Sequence, residues 1–243
     1  MDRVVDSSPS AGTDDATREL QDFSYIVSHD LAAEIRHLCE FTKLIVGELD
    51  PAAQARSQRY IDILLATEHK TRAMLDALLR FSRIQQAPLA MTLCDGTGLI
   101  DRATARFKAA GAVSFISDVS GSVIGDATLL SEAIQNILDN AVRFQKPGIT
   151  PVVEIKAFGG GEWTLFIRDN GVGLDERYQD KAFQMFWRLD PSLSNGVGAG
   201  LAIARRIIRR HHGDVRFVPC DTGACVKITL PAQQAIPQGD RQS

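Results

Sequence analysis

Four short segments in the second half of the chain have residue types and spacing that could do chemistry, two of them on a chain of phosphates. In Asn136-Ile-Leu-Asp-Asn140-Ala-Val-Arg143-Phe144, the two carboxamides and the guanidinium fall at i, i+4 and i+7. A helix there carries all three on one face, with Ile134, Ile137, Leu138 and Ala141 turned the other way. An amide oxygen is a hard ligand suited to Mg²⁺, and a guanidinium meets phosphate oxygens. In Asp169-Asn-Gly171-Val-Gly173 a carboxylate closes a β-like run and two glycines follow. That order lets backbone approach a flat ring while the acid accepts a hydrogen bond, although an ordinary Asn-Gly turn reads the same way. Phe183-Gln-Met-Phe186-Trp187-Arg188 is, by composition, aromatic core. Gly196-Val-Gly198-Ala-Gly200-Leu201 opens a helix whose free N–H groups and dipole favour phosphate. No strand precedes it, so it lacks the context of a dinucleotide fold.

In this order the four segments resemble the asparagine, first glycine, phenylalanine and second glycine boxes of histidine kinases. Gly223, in Thr222-Gly-Ala-Cys-Val226, is similar to the family's last glycine element before the closing strand. The resemblance implies the ATP-binding fold shared with gyrase, Hsp90 and MutL. It implies ATP and Mg²⁺ as ligands, with Asn140 on the metal and Asp169 on the adenine amine. Asn136, Arg143, Phe144 and Arg188 would line the nucleotide site. Gly171, Gly173, Gly196, Gly198, Gly200 and Leu201 would shape its wall and a short lid at about Asp190 to Asn195.

Upstream, Phe23-Ser-Tyr-Ile-Val-Ser-His29-Asp30-Leu31 resembles the histidine box, in the manner of phytochrome-like kinases. Alone, His29 reads as a solvated helical histidine; ahead of a complete set of ATP boxes it becomes the expected phosphate acceptor. A neutral imidazole is nucleophilic near its ordinary pKa of about 6.5, and Asp30 is placed to take the proton from the second ring nitrogen. The resemblance covers about Asp22 to Pro231.

Where this sequence departs from the family, it alters expectations. Arg143 stands where Lys is usual. Hydrolases of the superfamily carry a Glu four residues before the metal-binding Asn; here Asn136 cannot accept a proton, which disfavours simple ATP hydrolysis, and Glu132 lies a turn further back. Glu34 replaces the usual Pro after the histidine, so no bend is required there. Ala33 replaces the Thr or Asn that aligns a water, so weak phosphatase activity toward a phosphorylated partner is expected.

These groups need two kinds of scaffold. Apolar residues recur at helical spacing from about Thr17 to Leu49, and again from about Ala52 to Gln86, around a break at Leu49-Asp50-Pro51. Two helices of roughly 33 residues would each run about 50 Å. They form an antiparallel hairpin that buries its stripes by pairing with a second copy in a four-helix bundle. Beyond Pro88 short β-like runs (Ala90–Cys94, Val113–Ser117, Val152–Phe158, Trp163–Arg168, Val215–Val218, Ala224–Leu230) alternate with helical segments near Gly98–Ala110, Leu129–Phe144 and Leu201–His212. The expected class is α+β: a long helical hairpin, then an α/β sandwich with helices on one face of a mostly antiparallel sheet. The expected divisions are 1–16 as a disordered lead, 17–87 as the dimerisation and phosphotransfer hairpin, 88–232 as the ATP-binding domain and 233–243 as a disordered tail.

A net charge of −3 gives no reason to expect nucleic-acid binding. No run of about 18 apolar residues exists to span a membrane, and the acidic N-terminus is not a secretory signal. The scattered Cys39, Cys94, Cys220 and Cys225 read as reduced thiols of a cytoplasmic protein. His211-His212-Gly213 reads as a helix end, with cationic side chains near the C-terminus and Gly213 in the left-handed position, rather than as a metal site with Cys220 and Cys225. The basic cluster Arg205, Arg206, Arg209 and Arg210 reads as a solvated helix face. The function implied is a two-component sensor histidine kinase core: a homodimer that phosphorylates its own His29 from ATP and passes the group to an Asp of a response-regulator receiver domain. The alternative is a phosphotransfer scaffold whose ATP domain no longer turns over. An anti-sigma-factor serine kinase would have no use for the hairpin.

Overall fold

The computed structural model of the chain describes residues 33–111, 113–190 and 196–231. These fall into two compact units that divide after Gln86.

The first unit is a helical hairpin. Helix α1 is described over residues 33–48 and helix α2 spans Pro51–Gln86. Asp50 sets the turn: its Oδ1 accepts from the N–H groups of Ala52 and Ala53 at 2.9 and 2.8 Å. Pro51 follows as the first helical residue, where its missing N–H costs nothing. Cys39 and Ile61 are buried, yet Leu38, Phe41, Leu44, Ile45, Tyr60, Ile63 and Leu64 all stay exposed. Within the described residues the apolar stripes of residues 38–45 and 60–64 are present, and the described residues leave much of them uncovered. Glu34 lies at the start of the described part of α1.

The second unit runs β1 (Thr92–Asp95), α3 (Gly96–Ala110), β2 (Ser114–Val119), β3 (Ser122–Gly125), α4 (Ala127–Arg143), β4 (Val152–Phe158) and β5 (Glu162–Asp169), then α5 (Glu176–Gln179), a 3₁₀ turn (Lys181–Phe183), α6 (Gly200–Arg210), β6 (Asp214–Val218) and β7 (Cys225–Pro231). Five strands form one sheet in the order β2-β4-β5-β7-β6, and β1 pairs with β3 in a separate ribbon. Only β2 and β4 run parallel; the other pairs in the large sheet are antiparallel. Along the strands Val153, Ile155, Trp163, Leu165, Ile167, Val215, Val226 and Ile228 are buried, and Lys156, Phe166, Arg216 and Lys227 alternate with them on the other face. Helix α4 packs against β4 and β5 with α3 and α6 at its flanks, making the helical layer of a sandwich.

The local reasons are in the sequence. Asp126 caps α4 by accepting from the Thr128 and Leu129 N–H groups. Leu129, Leu130, Ala133, Ile134, Ile137, Leu138 and Ala141 then give it one buried stripe. Helix α3 is capped by Asp95 and ends on Gly111 in the left-handed conformation. The four-residue β3 and the short α5 were not among the expected elements, since neither is long enough to display a period.

The end of α6 differs from expectation. His212 takes the left-handed conformation (φ 58°), and Gly213 does not. Gly213 is there for space: a Cβ would strike the Thr229 carbonyl and lie 2.7 Å from Leu230. Nor is His211 an exposed cation at a helix end. It is buried, its Nδ1 bonds the Ile207 carbonyl at 2.8 Å, and its Nε2 accepts from the Asp126 N–H at 3.0 Å. Burial pushes its pKa down, so the ring is neutral. Among the described residues no cluster of His, Cys, Asp or Glu fits a metal.

Candidate nucleotide site

Helix α4 supplies the first wall. Its buried stripe fixes the rotation of the helix, and Asn136, Asn140 and Arg143 lie away from that stripe. The Asn136 amide donates to the Glu132 carbonyl at 3.1 Å, which leaves its oxygen toward Gly200, where a Cβ would come to 3.2 Å. The Arg143 guanidinium packs directly on Gly196, where any side chain would have to displace it. At the helix end the Phe144 carbonyl accepts from the Val172 N–H at 3.0 Å. The same carbonyl lies so close to Gly171 that no larger residue fits. Thus α4 touches both glycine loops.

The second wall is the end of β5. Asp169 Oδ1 accepts from the N–H groups of Gly171 and Ala224 at 2.8 and 3.1 Å. Two amides therefore lock one carboxylate oxygen, and Oδ2 has no protein partner among the described residues. Burial raises the Asp169 pKa, partly offset by those amides and by Lys146. Gly223 (φ 70°) lies flat against the Asp169 backbone, and a Cβ on Gly173 (φ 77°) would come 2.8 Å from the Gly223 carbonyl. The Asn-Gly pair is more than a turn. Asn170 accepts from the Val152 N–H and donates to the Thr150 carbonyl, both at 3.0 Å, which bolts the loop to the start of β4.

The third wall is the start of α6. Ala199 precedes it without a side-chain cap. The N–H groups of its first turn have no intrahelical acceptor. Gly198 (φ 76°) accepts from the Phe186 N–H at 2.8 Å, and a Cβ on it would lie 2.5 Å from the Trp187 carbonyl. Phe186 itself has φ 64°, a conformation that costs a non-glycine residue about 1–3 kcal/mol. Phe183 is core, as composition suggests: it is buried, meets Phe217 at 5.4 Å between centroids, and has Arg205 stacked over it at 4.0 Å. Arg188 is half-buried beside Gly198. Leu201 is buried, so only its backbone N–H is available to a ligand.

Asn136, Arg143, Phe144, Asp169, Gly171, Gly173, Arg188, Gly196, Gly198, Gly200 and Leu201 therefore come together around one site, with Asn140 on the same stretch of α4. His29 and Asp30 lie outside the described residues, as does the lid beyond Asp190. Sequence reasoning missed Asn170 and Ala224. The first had a signal, a side chain able to bridge backbone next to two glycines. The second had none, because any residue but proline supplies that amide.

Residues 125–234 match the family described as histidine kinase-, DNA gyrase B- and HSP90-like ATPase. A solved mycobacterial sensor histidine kinase, MprB, is 30% identical with a TM-score of 0.53, covering 60% of this chain and 100% of that one. The chain belongs to the sensor histidine kinases. Its second unit is their ATP-binding core. Cyanobacterial phytochrome A of Nostoc sp. is 27% identical over 219 residues, covering 88% of this chain. The chain spans 28% of that protein's length, and less than two thirds of SenX3 of Mycolicibacterium smegmatis. Full-length ShkA in complex with AMPPNP shares the fold at a TM-score of 0.64 and 19% identity, covering 89% of this chain and 47% of that one. No helix among the described residues is long and apolar enough to cross a membrane.

Proposed function

We propose that this kinase core transfers the γ-phosphoryl group of ATP to His29 and from there to an Asp of a response-regulator receiver domain. The observation that carries the reading is the convergence of three ligand surfaces. They are a carboxylate with one oxygen locked and one open, a helix face of amides with a guanidinium, and an uncapped helix start. Asp169 Oδ2 accepts from the adenine amine, which specifies adenine over guanine. The first-turn N–H groups of α6 and Arg143 meet the phosphates. Asn140, whose side chain has no partner among the described residues, fits a Mg²⁺ ion. When bound, that ion neutralises phosphate charge.

One ring nitrogen of His29 attacks the γ-phosphorus; the N–P bond forms as the P–O bond to ADP breaks. The proton on the other ring nitrogen passes to Asp30. Positioning supplies most of the acceleration. Asn136 spends its amide on the Glu132 carbonyl and has no basic atom to activate water, which favours transfer over hydrolysis. The exposed Leu38, Phe41, Leu44, Ile45, Tyr60, Ile63 and Leu64 support a homodimer joined through the hairpin, with residues 17–87 as its phosphotransfer part and 88–232 as its ATP part.

Incubation with γ-labelled ATP and Mg²⁺ should give an acid-labile, base-stable label that chases onto a receiver domain. His29→Gln should abolish the label and keep nucleotide binding. A wild-type protein that binds ATP and never acquires label would instead be a scaffold.

A further inference from the structure

The loop between β6 and β7 forms one side of the Asp169 wall and carries two thiols that the phosphotransfer reading leaves unused. Val218, the last residue of β6, pairs with Cys225 in the register, and Cys220 follows it by two residues in the loop. Both cysteines are free. Cys220 is half-buried, and its thiol donates to the Thr222 and Gly223 carbonyls at 3.4 and 3.5 Å. Cys225 is buried at the start of β7, directly across the strand pair from Val218. Between them lie Gly223, pressed on the Asp169 backbone, and Ala224, whose N–H holds Asp169 Oδ1. Thr222 is tied to Arg168 at 3.2 Å. The loop that fixes the base-reading carboxylate is thus braced by the thiol of Cys220 and ends on that of Cys225.

We propose that Cys220 and Cys225 form a reversible disulfide that withdraws the Gly223 loop from Asp169 and lowers nucleotide affinity, so that the ATP site is gated by thiol oxidation. This inference rests on the nucleotide-site reading above. The oxidant is a low-molecular-weight disulfide. The Cys220 thiolate attacks it, forming a mixed disulfide and releasing one small thiolate. Cys225 then attacks the Cys220 sulfur, forming the protein S–S bond and releasing the second. Two protein thiols lose two electrons and two protons, and the small disulfide is reduced to two thiols. Cys220 reacts first because it is the accessible one. The bond removes the Cys220 donor from the Gly223 and Thr222 carbonyls, and it fixes the two Cα atoms at the roughly 5.5–6 Å that a disulfide requires. Burial pushes the Cys225 pKa up to about 11, so ring closure should accelerate as the solution is made more alkaline toward that value.

The test treats the full chain with excess oxidised glutathione and measures two things. One is the mass of the tryptic peptide Phe217–Lys227, which contains both cysteines. The other is the affinity for a fluorescent ATP analogue. The peptide should become lighter by two hydrogens, affinity should fall about tenfold or more, and a reductant should restore both. Cys220→Ser, which keeps a donor for the Thr222 and Gly223 carbonyls, should bind nucleotide as the reduced protein does and be insensitive to oxidant, and Cys225→Ala should never give the lighter peptide. A peptide that carries only glutathione adducts, or a linked peptide with unchanged affinity, would overturn the proposal. If the reduced protein binds no nucleotide, the site reading itself fails and the gating with it, while the peptide mass still judges the bond.

Discussion

Helices α1 and α4 are both amphipathic, and they end up in opposite circumstances. On α4 the residues Ile134, Ile137 and Leu138 are at most 2% exposed, whereas on α1 Leu38, Phe41, Leu44 and Ile45 are 62–66% exposed. At about 25 cal/mol per Å² of apolar surface, stripes of that size make a large difference in what each unit needs from outside itself. The second unit closes its core within one chain, because a five-stranded sheet offers α4 a complementary face. Among the described residues the hairpin has no such layer, and its apolar surface stays exposed. One unit covers its own core; the other leaves its stripe open, as the proposed homodimer requires.

The comparison can be broken at several points. The largest effect should come from Gly223→Ala. It places a Cβ against the Asp169 backbone at a left-handed position, so the second unit should lose several kcal/mol of stability and all measurable nucleotide binding. Thermal unfolding and analogue binding check this, and a mild effect would mean that the loop gives way easily. Next is the double change Phe41→Asp, Leu64→Asp. It should abolish self-association in sedimentation while leaving ATP-analogue affinity within about twofold, because the stripe and the nucleotide site belong to different units. Loss of nucleotide binding in that variant would dissolve the contrast between the two units.

A smaller effect concerns pH and Asp169. Its folded-state pKa is raised by burial, so the charged form costs stability above that pKa and the cost is relieved as the solution is acidified through it. Nucleotide binding should run the other way. The carboxylate is needed for the adenine amine, and affinity should begin to fall at a pH above the ordinary carboxylate range. The smallest effect concerns His211. Its pKa is depressed in the folded state. Its contribution to stability is therefore complete above about pH 6.5 and is lost as pH falls toward the folded-state value, with a slope of at most about 1.4 kcal/mol per unit. His211→Phe should flatten that slope in pH-resolved melting. An unchanged slope would assign it to other groups.

Much of the second unit was legible because its chemistry is written in residue identity and its elements in period. Seven apolar positions on one face make α4 unmistakable, and glycines at Gly171, Gly198 and Gly223 are forced by close backbone approach or by positive φ. What stayed hidden has no side-chain signature. The Ala224 amide that locks Asp169 could belong to nearly any residue, and β3 is too short to alternate. At the end of α6 the usual rule misled, because Gly213 answers to the Thr229 carbonyl while His212 carries the left-handed turn. Tertiary crowding decided that position, and no local sequence rule reports it.

The central claim is that Asp169 reads adenine through the oxygen that its own loop leaves open. Calorimetric titration of ATP and Mg²⁺ into the wild type and into Asp169→Asn tests it most directly. The amide retains an acceptor for the Gly171 and Ala224 N–H groups and sheds a buried charge. The variant should therefore melt no lower than the wild type. In place of the open acceptor it presents a donor, so it should bind ATP at least about tenfold more weakly, roughly 1.4 kcal/mol. A variant that binds ATP as tightly as the wild type would contradict the account.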